Sequence, residues 1–366
     1  MRMQRILFGI DNLKNVIGTL KVKKVLLVAD SSFGFLNIRD SIESQLGRYV
    51  FFDHFDSNPQ YDSVCEGVRV FNDNCCDAIV AVGGGSSMDV AKCIKLYCRM
   101  DSGRNYLEQD CIDTGIPIVA IPTTAGTGSE STRFAVIYYQ GAKQSVNHLS
   151  IIPDYAILEP KVLKTLPDYQ KRCTLMDALC QGIESWWSVN STPQSQAISK
   201  KAVEMLYDNL RAYLQGDEES SARVMEGANL AGQAINITQT TAPHAFSYKL
   251  TSMYKLPHGH AVALCMREIW PYMLNHLNKC VDKRGTSHLE NVLDEIANTL
   301  HCKSREESVE MFSSLVDSLL LQRPQSHSRE ADLVILSQSV NPVRLKNHPI
   351  ALNELDARNI YERIVQ

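Results

Sequence analysis

Short runs of uninterrupted apolar residues recur through the first third of the chain. They are KVLLVAD (24–30), the weaker YVFFD (49–53), AIVAV (78–82) and PIVAIPTT (117–124). A strand with one wet face alternates apolar and polar residues, whereas an unbroken run is buried on both faces. Between the runs the spacing turns helical: NIRDSIESQLG (37–47) with a stop at Gly47, YDSVCEGVRVFNDN (61–74), and residues 86–98. Strand and helix therefore alternate, which demands a parallel sheet with helices on its faces. RFAVIYYQGAKQSV reads as a hairpin, with strands at 134–139 and 143–146, and a last short strand falls near 156–158. Pro160 and LPD (166–168) mark a boundary. Beyond it the pattern stays helical, with candidates at 170–190, 193–214, 220–238, 242–253, 259–277, 289–300, 305–321, 328–338 and 351–365. The expected architecture is an α/β domain over residues 1–165 and an all-helical domain over 166–366.

Composition narrows the function classes. At 366 residues, with 44% hydrophobic and 21% charged residues, the chain can bury the cores of two soluble domains. A net charge of -4 and the lack of a basic block argue against a nucleic-acid partner. The 11 cysteines include no CxxC pair, and Cys75 and Cys76 are adjacent, which reads as reduced thiols rather than a disulfide framework. MRMQRILFGIDNL lacks the apolar core of a signal peptide, and no apolar run approaches the roughly 18 residues that span a bilayer. The expectation is a cytoplasmic protein without a membrane partner.

Two turns hold the chemistry of the first half. GGGSSMD places Gly83, Gly84 and Gly85 between a buried strand and a helix start. Glycine lets backbone approach a ligand, and a helix start offers unpaired N–H groups and a positive dipole end, so the turn suits a pyrophosphate. A tight turn without a ligand reads the same way, and the G-x-G-x-x-G fingerprint is absent. PTTAGTGSEST (122–132) is dense in hydroxyls directly after a strand, as a phosphate or nicotinamide pocket requires. In the second half, Asp177 and Gln181 are four apart in MDALCQGIES and share one helix face. His244 in TAPHAFSYKL and His258 in LPHGHAVAL lie on other helical segments. A carboxylate and two imidazoles suit zinc or ferrous iron, although each residue alone is also an ordinary polar group on a helix.

Together, GGGSSMDVAK, PTTAGTGSEST, the Asp177 helix, the His244/His258 pair with PHG at 257–259, and the closing NPVRLKNHPIAL resemble the iron-containing (group III) alcohol dehydrogenase family over nearly the whole chain. That family shares its fold with dehydroquinate synthase and glycerol dehydrogenase. The resemblance implies NAD(P)-dependent oxidoreduction of an alcohol or aldehyde with a divalent metal, Fe2+ or Zn2+. It implies that Gly83, Gly84, Gly85 and Ser86 hold the cofactor pyrophosphate. Thr123, Thr124, Thr127 and Ser129 would line the nicotinamide side, and Lys143 would lie near the cofactor ribose. Asp30 falls where the family reads the adenosine ribose; a carboxylate accepts from a 2′-OH and repels a 2′-phosphate, which favours NADH over NADPH. Asp177, His244 and His258 match three metal positions, with His258 also counted as catalytic. Gln181 stands where the family usually has a histidine, and three ligands with an open position still make a catalytic site. Tyr248 stands where the family commonly has a second histidine; a phenol could deliver a proton if a cation pulled its pKa towards neutrality. Family members are often dimers or larger, and a homodimer is the expectation here.

The local context DALCQGIESWWSVNST and TAPHAFSYKLT resembles most the phosphonoacetaldehyde reductase branch, which reduces phosphonoacetaldehyde to 2-hydroxyethylphosphonate. Such a substrate needs cations for a dianion, and Arg133, Lys249 and His260 are the sequence candidates. A plain alkanol would instead call for apolar walls, such as Trp186 and Trp187. Besides a general short-chain alcohol dehydrogenase, two other classes stay open at this stage. One is a dehydroquinate-synthase-like lyase; the other, prompted by Gln181, is a nucleotide-binding protein that has lost its metal.

Overall fold

In the computed structural model, which describes residues 4–366, the unbroken apolar runs become the centre of a sheet. Every residue of β2 (Val25–Ala29), β4 (Ala78–Gly83) and β5 (Ile118–Pro122) is buried, as strands covered on both faces must be. With β1 (Arg5–Phe8), β3 (Tyr49–Phe52) and β8 (Tyr155–Leu158) they form a six-stranded parallel sheet in the order β1-β8-β5-β4-β2-β3. Helices α1 (Leu13–Leu20), α2 (Arg39–Leu46), α3 (Tyr61–Asp73) and α4 (Gly85–Tyr97) make connections between the strands. β6 (Phe134–Tyr139) and β7 (Ala142–Asn147) form a separate antiparallel hairpin. Edge strand β1 has no counterpart in the sequence reading. It is four residues long, opens on Arg5 and has exposed ends, so it falls short of the fully buried runs that mark the central strands.

The strand order reverses between β2 and β4. The chain lays β3 on one side of β2 and then returns to place β4 on the other. In open α/β sheets ligands bind at the carboxyl ends of the strands that flank such a reversal. The pairing from Val25↔Ala78 to Ala29↔Val82 brings Asp30 and the Gly83–Gly85 turn out of the sheet side by side.

The chain divides into two compact units, Met1–Leu166 and Pro167–Gln366. The second is helical: α5 (Asp168–Trp187), α6 (Pro193–Leu214), α7 (Glu218–Thr238), α8 (Ala242–Tyr254), α9 (His258–Asn275), α10 (Thr286–Thr299), α11 (Arg305–Ser318), α12 (Arg329–Ser339), α13 (Pro342–Leu345) and α14 (Glu354–Ile364). Helix α5 is its core, with α6, α7 and α9 packed around it and every residue from Leu175 to Trp187 buried. Trp186 and Trp187 belong to this core, and the Trp187 ring meets Trp270 edge-on. No helix is long and apolar enough to cross a membrane among the described residues.

Candidate active site

A helix buried all round should carry no charge, yet α5 buries Asp177, Gln181 and Glu184 at 2%, 3% and 0% exposure. Their spacing of four and then three residues puts them on one face. Burying such groups is costly unless something satisfies them. Asp177 Oδ1, Gln181 Oε1 and His244 Nε2 are buried atoms without a hydrogen-bond partner. They converge with His258, the Nε2 atoms of His244 and His258 lying 3.2 and 4.0 Å from Asp177 Oδ1. The three ligand atoms of Asp177, His244 and His258 all lie within 4.8 Å of one another, so a small inward shift of the side chains would let a cation with bonds of about 2.0–2.2 Å bridge them. Unsatisfied donors of the right chemistry aimed at one point fit a divalent metal, with the Gln181 amide oxygen beside them.

Glu184, absent from the sequence reading, completes the arrangement. Its carboxylate accepts from the Thr241 N–H at 2.6 Å and the Thr241 hydroxyl at 2.8 Å, and pairs with His244 Nδ1. Trp187 Nε1 donates to Thr241 Oγ1 at 3.0 Å and braces the same turn. A carboxylate on one ring nitrogen of a histidine fixes the tautomer and turns the other towards a metal. The signal in the sequence was the residue seven past Asp177.

The charges follow this geometry. Burial pushes the Asp177 carboxyl up, but the close approach of His244 and the charges of His258 and His244 leave it below its usual value. Burial lowers His244, but the Glu184 charge and the contacts with both carboxylates push it up to about 9. Metal loading must then displace a proton from His244. Zinc affinity should rise about tenfold per pH unit until about pH 9. Chelator-competition titrations would measure the slope, and a flat profile would show that no such proton is displaced.

Not every second-unit residue expected near the metal is there. His260 is a satisfied core histidine: Nδ1 meets the Tyr169 hydroxyl at 2.7 Å and Nε2 the Gln322 carbonyl at 2.9 Å, so the structure removes it from the substrate candidates. Lys249 lies five residues past His244, roughly 140° round α8, off the face that carries His244. Arg133 lies in the first unit, with its guanidinium 5.3 Å from the centre of the Phe134 ring. Tyr248, one turn past His244, stacks on the His258 ring at 6.0 Å and 12°. Burial raises its phenol above the usual value while the Arg344 charge works the other way. The expected pull towards neutrality is therefore not found, and the phenol keeps its proton.

In the first unit the two small-residue turns pack against each other. Gly83 has φ +145°, and a Cβ there would lie 2.3 Å from Ser87 Oγ. A Cβ on Gly85 would lie 3.1 Å from Thr127 Cγ2, and one on Gly84 3.7 Å from Thr124 Cγ2. Gly84 begins α4 without a side-chain cap, so the helix start presents its N–H groups, as a pyrophosphate site requires. The Ser86 hydroxyl donates to the Ser57 carbonyl at 2.6 Å, and Thr123, nearly buried, donates its N–H to Gly83 O at 3.0 Å. Asp30 accepts from Ser32 N at 2.8 Å and from Ser87 Oγ at 3.2 Å, so it caps a turn and anchors the glycine turn at once. It lines a cavity of about 410 Å³ with Phe33, Arg39, Glu43, Phe51 and Asp53. Arg39 there pairs with Glu43 at 3.2 Å, which leaves the wall rich in carboxylate. Lys143 is an exposed hairpin residue opposite Tyr138.

Ser129 departs from expectation. Its hydroxyl donates to Asp89 Oδ1 at 3.0 Å and accepts from the buried Lys92 Nζ at 2.9 Å, so it fastens the turn rather than facing a cofactor. Lys92 also donates to Thr132 Oγ1 and Phe134 O, and Asp89 Oδ2 accepts from Val136 N. The Asp89–Lys92 pair within GGGSSMDVAK is thus the clamp between α4 and the second turn.

Residues 4–160 match the sequence profile of iron-containing alcohol dehydrogenases, and residues 172–363 that of the C-terminal part of the same family. The phosphonoacetaldehyde reductase of Streptomyces viridochromogenes is 35% identical over 257 residues, 65% of this chain and 64% of that protein. Long-chain-alcohol dehydrogenase 1 of Geobacillus thermodenitrificans is 26% identical across 97% of this chain and 92% of that protein. The iron-containing alcohol dehydrogenase of Thermococcus thioreducens shares the fold with a TM-score of 0.89 at 22% identity, covering 100% of this chain and 98% of that one.

Proposed function

The chain belongs to the iron-containing alcohol dehydrogenase family, and from that premise we propose that it reduces phosphonoacetaldehyde to 2-hydroxyethylphosphonate with a reduced nicotinamide dinucleotide, NADH ahead of NADPH. The convergence of the unpartnered Asp177 and His244 atoms with the His258 imidazole supports metal-assisted chemistry at an aldehyde. The phosphonate end rests on one observation, the 35% identity with a phosphonoacetaldehyde reductase.

When bound, the dinucleotide supplies the hydride and the divalent metal, Fe2+ or Zn2+, polarises the carbonyl oxygen as a Lewis acid. The chain's own residues do the rest. Asp177, His244 and His258 hold the metal and Gln181 stands beside them. Glu184 keeps the proton of His244 on Nδ1, which leaves Nε2 as a ligand. The α4 start at Gly84–Ser86 holds the pyrophosphate, with Thr124 and Thr127 behind it, and Asp30 accepts from a ribose hydroxyl. Tyr248, held neutral and stacked on His258, is placed to donate a hydrogen bond to the oxygen that gains a proton. Gln181 does not dismantle the site, because three ligands with an open position suffice.

The test is oxidation of NADH and of NADPH with phosphonoacetaldehyde, acetaldehyde, propanal and glycolaldehyde, on protein loaded with ferrous iron or zinc. A site that pairs a charged substrate group should prefer phosphonoacetaldehyde over propanal by about 10²-fold or more in kcat/KM. Equal or better rates with the neutral aldehydes would sink the phosphonate reading and leave the family membership standing.

A further inference from the structure

The residues above account for the reacting end of the substrate but not for its charge. In phosphonoacetaldehyde the phosphorus is joined to the carbonyl carbon through a single methylene. Its oxygens lie only roughly 4–5 Å from the carbonyl oxygen by covalent geometry. The cation that holds them must therefore sit on an element packed against the metal ligands. Of the sequence candidates, His260 is satisfied in the core and Lys249 is off the face that carries His244.

Helix α8 carries His244 and, one turn on, Tyr248, whose ring lies on His258. The four-residue α13 packs on α8. Its Arg344 reaches Gln239, in the turn that leads into α8. The guanidinium is positioned from behind: Nη1 donates to Gln239 Oε1 at 3.3 Å, and Asn347 Nδ2 reaches the same oxygen at 3.4 Å and Thr240 O at 3.2 Å. The neighbouring Thr241 gives its N–H and hydroxyl to Glu184, the partner of His244. Residues 239–241 thus tie the guanidinium to the metal histidine through a chain of hydrogen bonds.

Gln239 supplies an independent sign. It holds φ +61° and ψ 171°, a region essentially reserved for glycine. It is kept there by its own N–H to Ile235 O at 2.8 Å and by the Thr238 hydroxyl on its carbonyl at 2.9 Å. Strain of this kind persists where surrounding structure over-determines it, and it concentrates at ligand clamps. Here it turns an amide side chain towards Arg344.

We infer that Arg344, oriented by Gln239 and Asn347, is the residue that binds the tetrahedral anion of the substrate. An arginine fork fits two oxygens of a phosphonate, and its hydrogen bonds to a dianion are stronger than those to a neutral amide. The assignment rests on the phosphonoacetaldehyde reading and deepens it: the substrate is a two-carbon aldehyde whose far end carries a dianion. Arg344 acts on that end, Asp177, His244 and His258 on the other.

The experiment measures kcat/KM for phosphonoacetaldehyde and for propanal on the metal-loaded parent, Arg344→Gln, Arg344→Lys and Lys249→Gln. Protection of each protein against thermal unfolding by 2-hydroxyethylphosphonate is measured alongside. In Arg344→Gln the ratio of the two kcat/KM values should fall about 10²-fold, mainly through KM for phosphonoacetaldehyde. Protection by the product should vanish. Arg344→Lys should recover part of the ratio, and Lys249→Gln should keep it. An unchanged ratio and unchanged protection in Arg344→Gln would overturn the assignment. A fall of the same size in Lys249→Gln would overturn it too, by moving the anion to that lysine. A parent without preference for phosphonoacetaldehyde would fail earlier, and would refute the proposed substrate rather than this residue.

Discussion

Gly259→Ala is expected to empty the metal site and to lower kcat/KM by about 10²-fold or more, the scale on which a misplacement of about 1 Å acts. A Cβ at this position would lie 1.9 Å from the Cys173 carbonyl oxygen, 2.8 Å from its carbon and 2.9 Å from Asp177 Cβ. The obstacle is the backbone of α5, which no rotamer change can move aside. Relief requires α9 to back away from α5, and His258, the adjacent residue, moves with it. His258 Nε2 already lies 4.0 Å from Asp177 Oδ1, so further separation takes a ligand out of reach. Within helices alanine is ordinarily preferred to glycine by about 0.5–1 kcal/mol, so a lower melting temperature would report the clash and not the propensity. The first unit carries the glycine turn and Asp30, and NADH binding followed by fluorescence should persist. Metal analysis decides the matter: a variant that retains its full complement of metal and its activity would show that the approach of α9 to α5 does not set the site.

The position of Gly259 illustrates what the sequence did and did not disclose. PHG stood out as a motif, but the reason for its glycine lies 86 residues earlier in the chain, where the α5 carbonyl of Cys173 fills the space. Buried strands and amphipathic helices were legible because their signals are local. Unbroken runs at 25–29, 78–83 and 118–122 can serve only as central strands, and the helices of the second unit were bounded to within a few residues. Edge strand β1 and the single turn α13 gave no such signal, being four residues each. The candidate metal ligands were named through resemblance, yet the groups packed against them were not. Glu184 is an ordinary glutamate in a helix until Thr241 and His244 close on it, and Arg344 an ordinary basic residue until α13 packs on α8. His260 misled for the converse reason: its proximity to His258 in sequence says nothing of Tyr169 and Gln322, which take both its nitrogens. Ser129 lies in the expected turn, but its hydroxyl answers to Lys92 and Asp89, whose roles depend on burial that spacing does not reveal.

Glu184→Gln should weaken zinc binding by about 10–100-fold, the usual effect of removing the partner of a metal-bound histidine, and the loss should depend on pH in a definite direction. The carboxylate accepts at three donors: Thr241 N–H, Thr241 hydroxyl and His244 Nδ1. An amide has only one oxygen. Its NH2 group must face one of those donors, or donate to His244 Nδ1 and so stabilise the tautomer that carries a proton on Nε2, where the metal needs a lone pair. That effect weakens the site at every pH. The second effect opposes it. After burial, which lowers it, the Glu184 charge is the first of the causes that raise His244 to about 9, so the parent at pH 7 must expel a tightly held proton to take up metal. Without the carboxylate that proton is released more readily, and the competition fades at a lower pH. The variant should therefore fall furthest behind the parent near about pH 9 and approach it towards pH 7. Glu184→Asp, which keeps the charge on a shorter arm, should retain more of the parent's pH slope than Glu184→Gln. Competition titrations of parent and both variants across this range provide the readout. A ratio of affinities independent of pH would mean that Glu184 does not set the proton affinity of His244, and unaltered affinity throughout would remove it from the metal site.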